Sequence, residues 1–244
     1  KKAIVTGAGR GIGSAIALRL ALEGAEVAIT YRGSLEGAEA TATRIRDSGG
    51  SAITLQADLN DALATLEMVR SAHQRMGGLD FLINNASGFG APARLKAAGW
   101  EVIAQEYAEV VRPTIHVTGS ALPILLDQKS GKIVNLAATL LQRPAEGYGA
   151  HAMAKAAILA YTRTLARELG PSGITVNAVS PGMTTTEFTN SLPEQERNAV
   201  SARTPLRRLA SPDDIAGAVV FFCSPLADFI TGSNLAPDGG LAVL

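Results

Sequence analysis

The sequence holds a single cysteine, Cys223, so no disulfide can form within the chain. It lies in the apolar run Val219–Cys223, where a small buried hydrophobe is expected rather than a nucleophile. An excess of one charge is also missing, since 22 Lys plus Arg balance 22 Asp plus Glu. A neutral chain offers no electrostatic footprint to nucleic acid or an anionic membrane, so neither is expected as a partner. The apolar runs fall well short of the ~20 residues that span a bilayer. The start, Lys1-Lys2-Ala3-Ile4-Val5, reads as a strand rather than a signal peptide, and a soluble cytoplasmic protein is expected. The histidines, His73, His116 and His151, are scattered with no second ligand at metal spacing, so no metal site is expected. No Pro/Gly/Ser-rich linker or charge block divides the chain. Residues 1–244 read as one domain, long enough to fold without staples.

What is present is alternation. Short apolar runs fall at Ala3–Val5, Val27–Tyr31, Ala52–Gln56, Phe81–Ile83, Lys132–Asn135, Ile174–Val179 and Asn234–Ala236. They are apolar throughout rather than every second residue, as strands covered on both faces are. Between them lie helical periods, such as Ile12–Glu23 with Ile12, Ile16 and Leu20 on one face and Gly24 at its end. The expectation is an α/β fold: a Rossmann-type, doubly wound parallel sheet of about seven strands with helices on both faces. Its ligand site belongs at the carboxyl ends of the strands.

The first strand runs into Thr6-Gly7-Ala8-Gly9-Arg10-Gly11-Ile12-Gly13. Glycines allow a tight turn and close approach of backbone to a pyrophosphate, and the following helix points its N–H groups at that charge. The strand-to-helix context makes this a dinucleotide turn. The second strand ends Thr30-Tyr31-Arg32, without the acid that would hold the ribose 2′-hydroxyl of NAD. Arg32 and Arg10 suit a 2′-phosphate instead, so NADP(H) is the expected cofactor.

Thr6-Gly7-x3-Gly11-x-Gly13, Asp58-Leu59, Asn84-Asn85-Ala86, Lys155, Asn177-Ala178-Val179-Ser180-Pro181-Gly182 and Asp238-Gly239-Gly240 together resemble the short-chain dehydrogenase/reductase family over essentially the whole chain. The resemblance implies a homotetramer or homodimer. It implies that Asp58 and Leu59 contact adenine and that Asn85 and Ala86 flank the adenosine ribose. It further implies that Pro181, Gly182 and Thr186 border the nicotinamide and its phosphate, and that Lys155 holds the nicotinamide ribose. Ser87 stands where most members have glycine.

The family's usual Asn, Ser, Tyr and Lys are present only as Lys155. The other three positions are Val110, Ala138 and His151. A tyrosine does stand seven residues before the lysine, Tyr148, and two helical turns would bring the pair to one side. The Tyr-x6-Lys arrangement, with Asn84-Asn85-Ala86-Ser87-Gly88 and Arg143, resembles the NADPH-using enoyl-acyl-carrier-protein reductases. On that reading Tyr148 stabilises the enolate formed when an enoyl thioester or related activated alkene is reduced, and Lys155 lowers the tyrosine pKa. Tyr148→Phe would then cut turnover and His151→Phe would matter much less. His151 is read first as a filler of the usual tyrosine's space and second as a proton relay or alternative acid. The other functional readings are a carbonyl or imine reductase with His151 or Tyr148 as acid, and a non-redox NADP(H)-binding protein. Met183–Pro205 suits a mobile substrate lid. Leu140, Leu141, Phe89 and Trp100 are candidate apolar lining, each read first as core or interface. Arg203, Arg207 and Arg208 are candidate contacts for phosphopantetheine or an acyl carrier protein, and are read first as solvated arginines.

Overall fold

The computed structural model describes residues 1–88, 92–96 and 99–242. Phe89, a candidate lining residue, lies outside the described residues. Seven parallel strands form one sheet: β1 (Lys2–Val5), β2 (Glu26–Tyr31), β3 (Ser51–Gln56), β4 (Phe81–Asn84), β5 (Gly131–Leu136), β6 (Ile174–Val179) and β7 (Asn234–Leu235). Their spatial order is β3-β2-β1-β4-β5-β6-β7. The chain therefore reverses direction of winding between β1 and β4, and the crevice above that switch point is where such folds bind ligands.

Alternation within the strands explains why they are apolar throughout. Ala3, Val5, Val27, Ile29 and Ile83 point to one face, under α1 (Gly11–Leu22), α2 (Leu35–Asp47) and α8 (Pro212–Cys223). Ile4, Ala28, Leu82, Ile133 and Val176 point to the other, under α3 (Ala62–Met76), α4 (Trp100–Gln128) and α5 (Gly149–Leu169). Both faces are dry, so neither set can be polar. Each expected strand forms, with ends shifted by one residue at most. Two short helices, α6 (Glu187–Asn190) and α7 (Glu194–Arg203), stand over the carboxyl ends of the strands, within the segment read as a lid. Cys223 is buried, and burial pushes its thiol up to about 12, which suits a packing role and not a nucleophile. Among the described residues, no helix is long and apolar enough to cross a membrane.

Candidate active site

The glycine turn is built by close packing. Gly7 and Gly11 adopt left-handed φ angles of 62° and 54°, which glycine takes without steric cost. A side chain at Gly13 would place its Cβ 2.5 Å from the Gly7 carbonyl oxygen and 2.5 Å from Asn85 Nδ2. Asn85 fastens β4 to the turn, donating from Nδ2 to the carbonyls of Thr6 (2.8 Å) and Gly7 (3.2 Å), while its backbone N–H reaches Thr6 Oγ1 (2.9 Å). Ala86 lies against Gly7. No side chain caps the start of α1, where Arg10 is the N-cap, nor those of α4, α5 and α7. The first-turn N–H groups of α1 can therefore face an anion. Thr186 stands beside Gly11 and caps α6. Gly182 packs so closely on Asp238 that a Cβ there would come within 2.9 Å of it. These contacts bring the Pro181-Gly182 turn and the Asp238-Gly239-Gly240 segment together at the mouth of the crevice.

Just after β2, Arg32 is exposed and its guanidinium lies 3.7 Å from the carboxylate of Glu109. Tyr31 packs partly into the core beside it, Asp58 is exposed, and Leu59 is buried. His116 holds the Leu59 carbonyl at 2.9 Å, so this histidine has a structural post away from the reacting end.

The candidate reacting residues His151 and Lys155 stand on α5, which packs against α4. The buried face of α5 carries Ala150, His151, Ala154, Lys155, Ile158 and Leu159, which places two basic residues on an apolar stripe. Lys155 donates from Nζ to the Leu136 carbonyl at 2.8 Å. Burial pulls its pKa down to about 8, opposed by the negative charge of Glu106. His151 Nδ1 lies 2.5 Å from Glu106 Oε1, with the two side chains 8% and 7% exposed. Burial and then the positive charge of Lys155 draw the imidazole below its ordinary pKa, while Glu106 pulls it back up. Val110 and Ala138 leave no amide or hydroxyl where the resemblance placed Asn and Ser. Val110 is buried in a small apolar cluster with Ala137 and Ala154. The neighbouring hydroxyl, Thr139 Oγ1, is committed to the Pro181 carbonyl at 3.1 Å.

Tyr148 is the N-cap of α5, after Gly147 with its φ of 86°, and its carbonyl accepts the Ala152 N–H at 2.9 Å. Its phenol is pushed up, first by burial and then by the negative charge of Glu196 on α7. The expected lowering of this pKa by Lys155 is overturned, because the charge facing the phenol comes from the lid segment and has the opposite sign.

Other candidates fall into structural duties. Arg208 pairs with Asp214 (2.5 Å) and Arg207 bonds to the Ala202 carbonyl, while Trp100 is 72% exposed. Arg143 donates to the Leu241 carbonyl at 2.9 Å, which ties the turn before α5 to the chain's last described residues. Glu106 is the residue that sequence reasoning missed. Its signal was available: it falls on the same stripe of α4 as Val110, Thr114, Val117 and Ala121, all buried, and a carboxylate on such a stripe needs a partner.

A family model described as enoyl-(acyl carrier protein) reductase matches residues 7–242. The 3-oxoacyl-(acyl-carrier-protein) reductase FabG of Staphylococcus aureus is 36% identical over 243 residues, covering 99% of this chain and 98% of the relative. The cyclohexanol dehydrogenase of a Rhodococcus species is 37% identical over 261 residues, covering 99% and 96%. The crystallised short-chain dehydrogenase/reductase of Serratia marcescens is 36% identical with a TM-score of 0.92, covering 100% of this chain and 98% of that one. The chain belongs to the short-chain dehydrogenase/reductase family. It is thus one of the oxidoreductases that use a nicotinamide dinucleotide, and the crevice over β1 and β4 is the place its glycine turn prepares for one. As a short-chain dehydrogenase/reductase it keeps a lysine, Lys155, at the position the resemblance marks. The tyrosine position holds an imidazole that is paired to a buried acid.

The unusual lysine carries a prediction. An unfolded Lys155 keeps its proton up to an ordinary value near 10.5, and the folded one releases it at about 8. Between those values the unfolded state binds more protons, so this group adds stability as pH rises through the window and withdraws it as pH falls back to 8. Denaturant midpoints at pH 7.5 and 10 should show wild type gaining on Lys155→Met. Parallel curves for the two proteins would show that the lysine titrates normally.

Proposed function

We propose that this protein is an NADP(H)-dependent carbonyl reductase in which His151 is the proton donor and Lys155 binds the nicotinamide ribose. The observation that carries the reading is the His151–Glu106 contact of 2.5 Å at the position where the family's tyrosine stands. Relatives along the whole chain are named for carbonyl or alcohol chemistry, which supports a carbonyl over the alkene suggested by the Tyr-x6-Lys spacing. A ketone carbonyl is the reacting group, and a 3-oxoacyl thioester is the first substrate class to offer, with an acyl carrier protein as its carrier.

When bound, the reduced nicotinamide supplies a hydride to the carbonyl carbon. The chain has to supply one proton. A doubly protonated His151 holds one proton at Nδ1 against Glu106 and a second at Nε2. Transfer from Nε2 makes the O–H bond as the carbonyl π pair moves onto oxygen, and the imidazole becomes neutral until solvent reprotonates it. Lys155, one turn further along α5, makes the imidazolium a stronger acid through its positive charge. An imidazolium whose pKa is drawn below its ordinary value is a stronger acid.

The test offers purified protein NADPH with a 3-oxoacyl thioester and, separately, a crotonyl thioester. NADPH consumption with the first and little with the second is expected. Consumption with crotonyl thioester alone would restore the alkene reading, and tight NADPH binding with no turnover on either would make the protein a non-redox binder. For the cofactor, Arg32→Ala should weaken NADPH binding about tenfold or more, the worth of a charge-assisted bond. NADH binding should stay unchanged, and equal losses for both would remove Arg32 from the 2′-phosphate.

A further inference from the structure

Arg32 is fixed at its base. Its backbone carbonyl accepts from Gln56 Nε2 at 3.0 Å. Two residues earlier, the Thr30 carbonyl accepts the Ala8 N–H of the glycine turn at 3.2 Å. The side chain beyond that anchor is 62% exposed, and its guanidinium faces Glu109 of α4.

Glu109 is held more closely. It stands four residues before Pro113 in α4. Proline has no N–H to give to the carbonyl one turn back. The Gly88 N–H takes the Glu109 carbonyl instead, at 3.1 Å. Glu109 Oε1 accepts from Gln105 Nε2 at 3.1 Å. A side chain at Gly88 would put its Cβ 2.7 Å from Glu109 Cβ and 2.5 Å from Oε2, so the glycine leaves the acid the space in which it lies. Oε2 is then 3.7 Å from Arg32 Nη1, with the Glu109 side chain 25% exposed. Gly88 follows closely on Asn85 and Ala86, the pair read as flanking the adenosine ribose. An anion is thus built against the arginine that the cofactor reading assigns to another anion.

We propose that Glu109 is a specificity-determining residue for the cofactor: it competes with the 2′-phosphate for Arg32 and so narrows the preference for NADPH over NADH. This rests on the reading of Arg32 as the 2′-phosphate ligand. Carboxylate and phosphate both accept charge-assisted bonds from a guanidinium, so the phosphate gains Arg32 only by drawing it away from Glu109. NADH carries a hydroxyl at that place, and its binding does not enter the contest. The arginine is exposed, and an exposed ion pair is worth up to about fivefold in an equilibrium constant. That factor is the gain NADPH should recover when the carboxylate loses its charge.

The experiment measures NADPH and NADH affinities by calorimetric titration for wild type, Glu109→Gln, Arg32→Ala and the double variant. Glutamine keeps an oxygen for Gln105 and removes the charge. Glu109→Gln should bind NADPH about three- to fivefold more tightly, with NADH within about twofold of wild type. A structural role for Glu109 would move both cofactors together. In the Arg32→Ala background the same substitution should change NADPH affinity by less than about twofold, because the arginine through which it acts is gone. Should Glu109→Gln fail to fold, Glu109→Ala removes the charge in a good helix former and is read in the same way.

Unchanged or weaker NADPH binding in the Glu109 variant would overturn the proposal, as would an equal gain for both cofactors. An undiminished gain in the Arg32→Ala background would also overturn it, since the acid would then act without the arginine. Arg32→Ala losing as much affinity for NADH as for NADPH would instead overturn the assignment of Arg32 to the 2′-phosphate. That result is read from the single arginine variant, so the two failures are distinct.

Discussion

His151→Gln is expected to reduce carbonyl substrates roughly 10²–10⁴ times more slowly than wild type, the usual worth of a general acid. Glutamine is the sharper replacement. It can still donate an N–H to Glu106, so the buried carboxylate keeps a partner, but it has no proton to deliver. Phenylalanine at the same place would take the imidazole away from that carboxylate, and breaking a buried charged pair costs about 3–5 kcal/mol, which would mix unfolding with lost chemistry. NADPH binding, followed by fluorescence, should stay within a few-fold of wild type in His151→Gln, because the glycine turn and Arg32 lie elsewhere. Tyr148→Phe should cost little under the same assay. A His151→Gln enzyme that turns over normally while Tyr148→Phe is inactive would return the proton to the phenol.

Gly13→Ala should be nearly as damaging by a different route. The added methyl carbon would lie 2.5 Å from the Gly7 oxygen, 2.5 Å from Asn85 Nδ2 and 2.9 Å from Ala8 Cα. Two of these neighbours are backbone and cannot swing away. Overpacking of this sort costs about 1–3 kcal/mol, and here relief requires α1 to withdraw from the turn that it shares with the pyrophosphate site. NADPH affinity should fall by about tenfold to a hundredfold, taking that strain at 1.4 kcal/mol per tenfold, with a lower melting temperature. Gly217→Ala is the control. It lies in α8 with nothing within 4 Å of an added Cβ, so cofactor binding should not change. Calorimetric titration of both variants decides it, and equal affinities would show that Gly13 is not needed for the close approach.

The strands were legible because burial on both faces forces a short apolar run, repeated between stretches of helical period. The dinucleotide turn was legible because its glycines answer backbone geometry that other residues cannot supply, as the left-handed Gly7 and Gly11 show. Tyr148 stands at the edge of what helical periodicity describes, because it caps α5 and the left-handed Gly147 precedes it. Glu106 was missed because its partner is 45 residues away on another helix. Periodicity describes one element at a time, whereas this contact exists only once α4 and α5 are packed together.

The pairing across those two helices also restricts how the protein can change. Restoring tyrosine at 151 alone would take the imidazole away from the acid at 106, and replacing the acid alone would take the opposing charge away from an imidazole that still faces Lys155. Each single step passes through a weaker molecule, so the two positions form one unit of inheritance. A path from a phenol-based site to this one, or back, is shortest as a double substitution.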